Sequence, residues 1–251
     1  MIPLSDPDVR RGGYPYVSIG LIALNALVFL YELTLGDAAT TQFFYKWGLI
    51  PAELAQGQDY SVLLTGTGPL DIESTLPAWG TVFSAMFIHG GFMHFAGNML
   101  FLWVFGDNVE DRLGHVKYLL FYLACGVAAT WAQVAIDMGS QVPNIGASGA
   151  IAGVLGAYLL LFPYSRINTL VIFYFITVVR VPALFLLGFW FLLQFFSGVG
   201  SIGAAAHTTG VAYWAHIGGF VAGILAVALY LKALGQPVLP SHRRTPWHWD
   251  R

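Results

Sequence analysis

Charge is what this chain has least of: acidic and basic residues together make up 10% of its 251 residues, against about 25% in an average soluble protein. Hydrophobic residues reach 57%, and mean hydropathy is +0.68. That balance excludes an ordinary soluble domain and reads as an integral membrane protein. Cysteine is nearly absent too. Cys125 stands alone, so no intrachain disulfide can form, and within an apolar run it reads as a small core residue. Eleven Lys and Arg against thirteen Asp and Glu give a net charge of −2, which excludes a basic nucleic-acid surface. There is no HExxH and no CxxC, so neither a metal nor another cofactor is expected. The opening MIPLSDPDVRRGGYPY is polar for its first dozen residues and shows no cleavable leader. The first apolar helix is therefore expected to stay in the protein.

Long apolar runs are plentiful. Helices of membrane-crossing character are expected near 17–35, 91–106, 117–137, 147–163, 181–198 and 212–233, the second and fifth being short. The fold class is thus an all-α membrane protein with six spans. The run 169–179, TLVIFYFITVV, fits none of them. Fused to 181–198 it would set Arg180 in mid-membrane, so an interfacial segment followed by a helix starting at Pro182 is expected.

Positive charge then orients the bundle. Arg10, Arg11, Arg112, Lys117, Arg166, Arg180, Lys232, Arg243, Arg244 and Arg251 fall on one side, and only Lys46 on the other. Both termini are expected to be cytoplasmic. The divisions are a cytoplasmic segment 1–16, a membrane domain 17–234 holding an outer loop 36–90, and a mobile cytoplasmic tail 235–251. Within the outer loop TGTGPLDIESTLP reads as irregular, and WGTVFSAMFIHGG as an amphipathic piece resting in the interface.

Against this apolar background a few polar residues stand out. His94 and Asn98 begin the second span, Ser148 the fourth and His216 the sixth, and polar side chains kept inside a membrane usually have a partner or a task. These three spans all run from outside to inside. Each residue lies in the first two turns, hence within roughly 10 Å of the outer ends at 1.5 Å per residue. A hydroxyl, two imidazoles and an amide in one layer suit hydrolysis, because a serine needs a base to take its proton. His94 and Asn98, four apart on one helix face, can donate to an oxyanion. Ser148 itself sits at the positive end of its helix, with Gly146 and Gly149 allowing a tight turn and close approach. Taken singly, a serine in a membrane helix is more often a packing residue, and the Gly219–Gly223 spacing reads as close helix packing. His89 and His207 read as loop or interfacial residues.

Three motifs carry a resemblance: HGGFMHFAGNMLFLWVFGDNVEDRLG at 89–114, GASG at 146–149 and AHIGGFVAG at 215–223. In order and spacing, from about Gly20 to Leu231, the sequence resembles the rhomboid family of intramembrane serine proteases. The resemblance implies Ser148 as nucleophile, His216 as general base without an aspartate, and His94 and Asn98 as oxyanion donors beside the Ser148 N–H. It also implies single-span membrane proteins as substrates, within a lipid bilayer, and a fifth span acting as a lateral gate, here bearing Phe189, Trp190 and Phe191. The missing leader favours a prokaryotic cytoplasmic membrane. Two departures are visible: Trp79 is followed by Gly80 where many members have Trp-Arg, and Ala152 stands where some carry a Tyr that packs on the catalytic His. Competing readings are an inactive relative that binds membrane clients, and a small transporter, which buried carboxylates, discontinuous helices or an inverted repeat would favour and which only the unassigned 169–179 run supports. Oligomeric state has no signature here.

Overall fold

The computed structural model describes residues 1–9, 12–66, 68–172, 174–202 and 211–238. Strand β1 (Ile2–Ser5) leads into helix α1 (Tyr16–Glu32). A long excursion follows, made of α2 (Asp37–Trp47), α3 (Pro51–Gln56), the hairpin β2 (Val62–Thr65) and β3 (Gly68–Asp71), α4 (Ala78–Ser84) and a 3-10 turn at Ala85–Phe87. Then come α5 (Phe92–Leu113), α6 (His115–Ile136), α7 (Ser148–Leu161), β4 (Arg166–Ile172), β5 (Ile176–Pro182), α8 (Ala183–Gly200) and α9 (Tyr213–Ala233). Among the described residues α6, α8 and α9 are long and apolar enough to cross a membrane, while α1 and α7 are shorter apolar helices.

Helix α7 is the centre. Ten of its residues in succession, Gly149–Tyr158, are buried, which suits a helix that is apolar on every face. Small residues let its neighbours come close. A Cβ added at Gly219 would strike the carbonyl oxygen of Gly149, and one at Gly223 would strike that of Gly153, so the Gly219–Gly223 spacing packs α9 directly onto α7 as expected. Around them Leu102, Phe105, Tyr118, Tyr122, Leu155 and Tyr158 form a core almost without exposed surface.

Three expectations are corrected. The run 169–179 is a β-hairpin: Arg166↔Pro182 through Ile172↔Ile176 pair antiparallel, and β1 adds a third strand along β4. Its Ile, Val and Thr content suits a pleated surface, and Ile167 and Thr169 are buried two apart, the strand period. The fold is therefore mostly helical rather than all-α. The second expected helix does not stop at 106 but runs to Leu113. Its extension is held because Glu110 accepts the Val17 and Ser18 N–H groups at 2.9 and 2.7 Å and the Ser18 hydroxyl at 2.7 Å; a carboxylate thus caps the positive end of α1. The stretch read as irregular in the outer loop begins on the last residue of β2 and contains β3, and the two strands form a hairpin with Val62 opposite Asp71 and Thr65 opposite Gly68.

The segment before α1 is tied down as well. Asp6 accepts hydrogen bonds from the Tyr158 hydroxyl, the Ser165 hydroxyl and the Asn108 amide. Burial nevertheless raises its carboxyl above the usual carboxylate range.

Candidate active site

Ser148 is the first residue of α7, where the helix's leading N–H groups have no intrahelical partner. Backbone contacts hold the chain that delivers it. Leu49 and Asn144 exchange N–H···O bonds of 3.0 and 2.7 Å, and the Gly146 N–H donates to the Ala85 carbonyl at 2.8 Å. Gly146 has φ +123°, a region other residues avoid. The outer loop and the 3-10 turn thus fix the approach to the serine.

Across from it stands His216, in the first turn of α9. Its Nε2 lies 2.8 Å from Ser148 Oγ, hydrogen-bonding distance for a nucleophile and its base. His94 approaches from α5. A Cβ at Gly146 would sit 2.8 Å from His94 Nε2 and 3.6 Å from Ser148 Oγ, so the glycine leaves a small space bordered by both groups. The Gly90 N–H donates to His94 Nδ1 at 3.3 Å, which makes Nδ1 the acceptor and leaves the proton on Nε2, facing that space. Asn98 is one turn further along α5 and gives one amide N–H to the His94 carbonyl at 2.9 Å; its amide nitrogen carries a second. The structure brings Ser148, His216 and His94 to one point, with Asn98 adjoining on the same helix face as His94.

His89 belongs to the surroundings rather than to an interface. It is 1% exposed, set edge-on to Phe29, Phe95 and His94, and its N–H donates to Glu32 at 3.1 Å. Burial pushes its imidazole down to about 4, so the ring is neutral at physiological pH. His207 lies outside the described residues.

Two glutamines escaped the sequence reading. Gln194 of α8 places Oε1 2.7 Å from His216 Nδ1. Gln133 of α6 accepts the Ala215 N–H at 3.3 Å and, with Ala129, Gly146 and Ala212, lines a small cavity beside Ser148. Each is a lone amide near the end of an apolar helix, the same signal that marked Asn98. The depth argument covered only the helices running outside to inside; applied to the far ends of α6 and α8, it finds both. From α8, Trp190 also faces the imidazole at 6.0 Å between ring centroids. The ring thus has α8 partners where Ala152 offers none.

With this geometry in hand, the comparisons agree on a class. The sequence model of the rhomboid domain matches residues 77–233, and the chain belongs to the rhomboid family. It is similar to Rhomboid protease GluP of Bacillus subtilis, 29% identical over 93% of this chain and 38% of that protein. Rhomboid protein 1, mitochondrial, of Saccharomyces cerevisiae is 30% identical over 58% of this chain and 40% of that protein. Presenilin-associated rhomboid-like protein, mitochondrial, of Homo sapiens is 34% identical over 32% of this chain. The matched part spans 40% or less of the length of each of the first two relatives.

Proposed function

We propose that this chain is an intramembrane serine endopeptidase that cuts single-span membrane proteins near the outer face of the bilayer. The observation that carries the reading is the 2.8 Å contact between Ser148 Oγ and His216 Nε2, at the first turns of two helices packed glycine to glycine. The protease name of a bacterial relative that covers 93% of the chain supports it. In this reading α1, α5, α6, α7, α8 and α9 are six spans of a membrane domain over 17–234, between cytoplasmic ends 1–16 and 235–251. The loop 36–90 lies outside, and the membrane is a prokaryotic cytoplasmic one.

The chemistry is as follows. Ser148 Oγ attacks the scissile carbonyl while His216 Nε2 takes its proton. Negative charge on the carbonyl oxygen is met by the Ser148 N–H at the start of α7, by His94 Nε2–H and by the free N–H of Asn98. The C–N bond then breaks, His216 returns the proton to the leaving amine, and water from the outer side hydrolyses the acyl-enzyme by the reverse use of the same base. Substrate must unwind to present its carbonyl, since a helical peptide bond is shielded by its own hydrogen bonds. Sequences with helix-weakening residues near the cut are the expected substrates.

The deciding experiment uses purified protein in liposomes with a panel of fluorogenic single-span substrates. Ser148→Ala and His216→Ala are expected to lower kcat by at least about 10⁴-fold with the fold intact. Cleavage that persists in Ser148→Ala refutes the nucleophile. A folded wild type that cleaves no panel member, while still binding those segments, supports the client-binding alternative.

A further inference from the structure

His216 is the base that meets Ser148 Oγ among the described residues, and a base that works through Nε2 must keep its proton on Nδ1. Serine hydrolases commonly secure this with a carboxylate. Neither α7, α8 nor α9 contains an Asp or Glu. We propose that Gln194 is the positioning residue of the dyad, holding His216 in its Nδ1–H tautomer only while α8 is seated against α9. The inference rests on the serine-protease reading above and names the group that prepares its base.

The geometry is direct. Gln194 Oε1 is an acceptor and lies 2.7 Å from Nδ1, while Nε2 faces Ser148 Oγ at 2.8 Å. A neutral imidazole has one N–H. With that hydrogen given to the amide oxygen, the lone pair of Nε2 points at the serine hydroxyl. An amide does this without placing an anion in a low-dielectric setting, where a carboxylate would be costly. His94 from α5 and Tyr213 from α9 are the other titratable groups facing the ring, and α7 brings the Ser148 hydroxyl.

Position on α8 adds the conditional part. Gln194 is the only polar side chain between Ala183 and Phe196, and an amide in such a helix needs a partner. One turn earlier Trp190 lies against the same imidazole, and Phe191 stacks on Phe220 at 4.7 Å. The opposite face, with Phe185, Phe189, Leu192 and Phe196, is exposed. Buried positions of α8 are confined to Ala183, Leu186, Leu187 and Gly198. Between Leu187 and Gly198, α8 therefore meets α9 largely through Trp190, Phe191 and Gln194. A substrate that wedges α8 away breaks the Gln194 bond, and the base regains its orientation when the helix returns.

The test compares wild type, Ser148→Ala, Gln194→Leu and Gln194→Glu as full chains in liposomes, with the fluorogenic substrate panel. Gln194→Leu is expected to lower kcat about tenfold to a hundredfold with KM little changed. Gln194→Glu keeps an acceptor at the same place and retains cleavage. Its added negative charge favours the imidazolium, so the acid limb of kcat/KM moves to higher pH, which a packing role alone would not do. Nitrogen NMR of ¹⁵N-histidine-labelled protein is expected to show His216 with Nδ1 protonated in wild type and with that preference lost in Gln194→Leu. Unchanged kcat and tautomer in Gln194→Leu, or an unmoved acid limb in Gln194→Glu, overturns the proposal while leaving the protease reading intact. Wild type that cleaves nothing defeats the protease reading, and the NMR tautomer then still decides the role of Gln194.

Discussion

Gly219 has no side chain to lose, which makes it a clean probe of how closely two helices must meet. A single methyl there runs into the Gly149 carbonyl, next to Ser148, whereas a methyl at Gly188 meets nothing within 4 Å. Gly219→Ala is expected to cost about 1–3 kcal/mol of stability by overpacking, read as a lower Tm in a thermal melt in detergent, with Gly188→Ala close to wild type. Gly146 acts differently. There the added carbon meets both a positive φ and the His94 ring, so, on the proposed mechanism, Gly146→Ala is expected to reduce kcat at least about tenfold by moving that ring, with a smaller loss in thermal stability. Single residues also show what a sequence conceals. Ser148, His94 and His216 were legible because they are polar, rare and at one depth. Gln194 obeys the same rule, but it sits at the far end of a helix that runs the other way.

At the scale of elements, helices were easier to read than strands for a physical reason. Twenty apolar residues have few explanations, whereas the eleven of 169–179 suit a strand pair, a buried helix turn or an interfacial piece equally well. The three-stranded sheet needed β1, more than 160 residues away, to be recognised. The length of α5 was hidden because its last turns, GDNVEDRL, carry the charges that usually mark a loop. One of those charges, Glu110, holds the start of α1. Glu110→Ala would leave the Val17 and Ser18 donors without their acceptor, and about 2–4 kcal/mol of stability should be lost; Glu110→Gln, which keeps one acceptor oxygen, should lose less. Denaturant titration of the purified protein measures both. The strand's tether supplies a pH test. Because the Asp6 carboxyl titrates above its unfolded value of 3.8, folding holds its proton more tightly. Its contribution is therefore fully present below that value and is lost as pH rises through the folded one. Asp6→Asn should flatten this part of the Tm-against-pH curve above pH 3.8; an identical curve would remove Asp6 as its source.

For the whole molecule, the charge asymmetry makes a claim about sides. Lys46 pairs with Asp71 at 2.7 Å on the excursion between α1 and α5, proposed to lie outside, whereas Lys232 lies in the last turn of α9. Cys125, the chain's one thiol, is buried. Lys46→Cys and Lys232→Cys are therefore clean reporters in cells or sealed vesicles of known orientation. A membrane-impermeant maleimide added from outside should label the first and spare the second until the membrane is opened; equal labelling would refute the assigned orientation.

The three-stranded sheet has one more consequence, and it concerns time. Ile2 pairs with Leu170 and Pro3 with Thr169, so β1 must wait for residues made more than 160 positions later. At about 5–20 residues per second of synthesis, that is an interval of roughly ten to thirty seconds. By its end α1, α5, α6 and α7 have all been synthesised, and until then the first strand has no partner. Closing the sheet is thus a late event in the birth of the chain, and it comes just as α8, the helix that follows β5, begins to emerge.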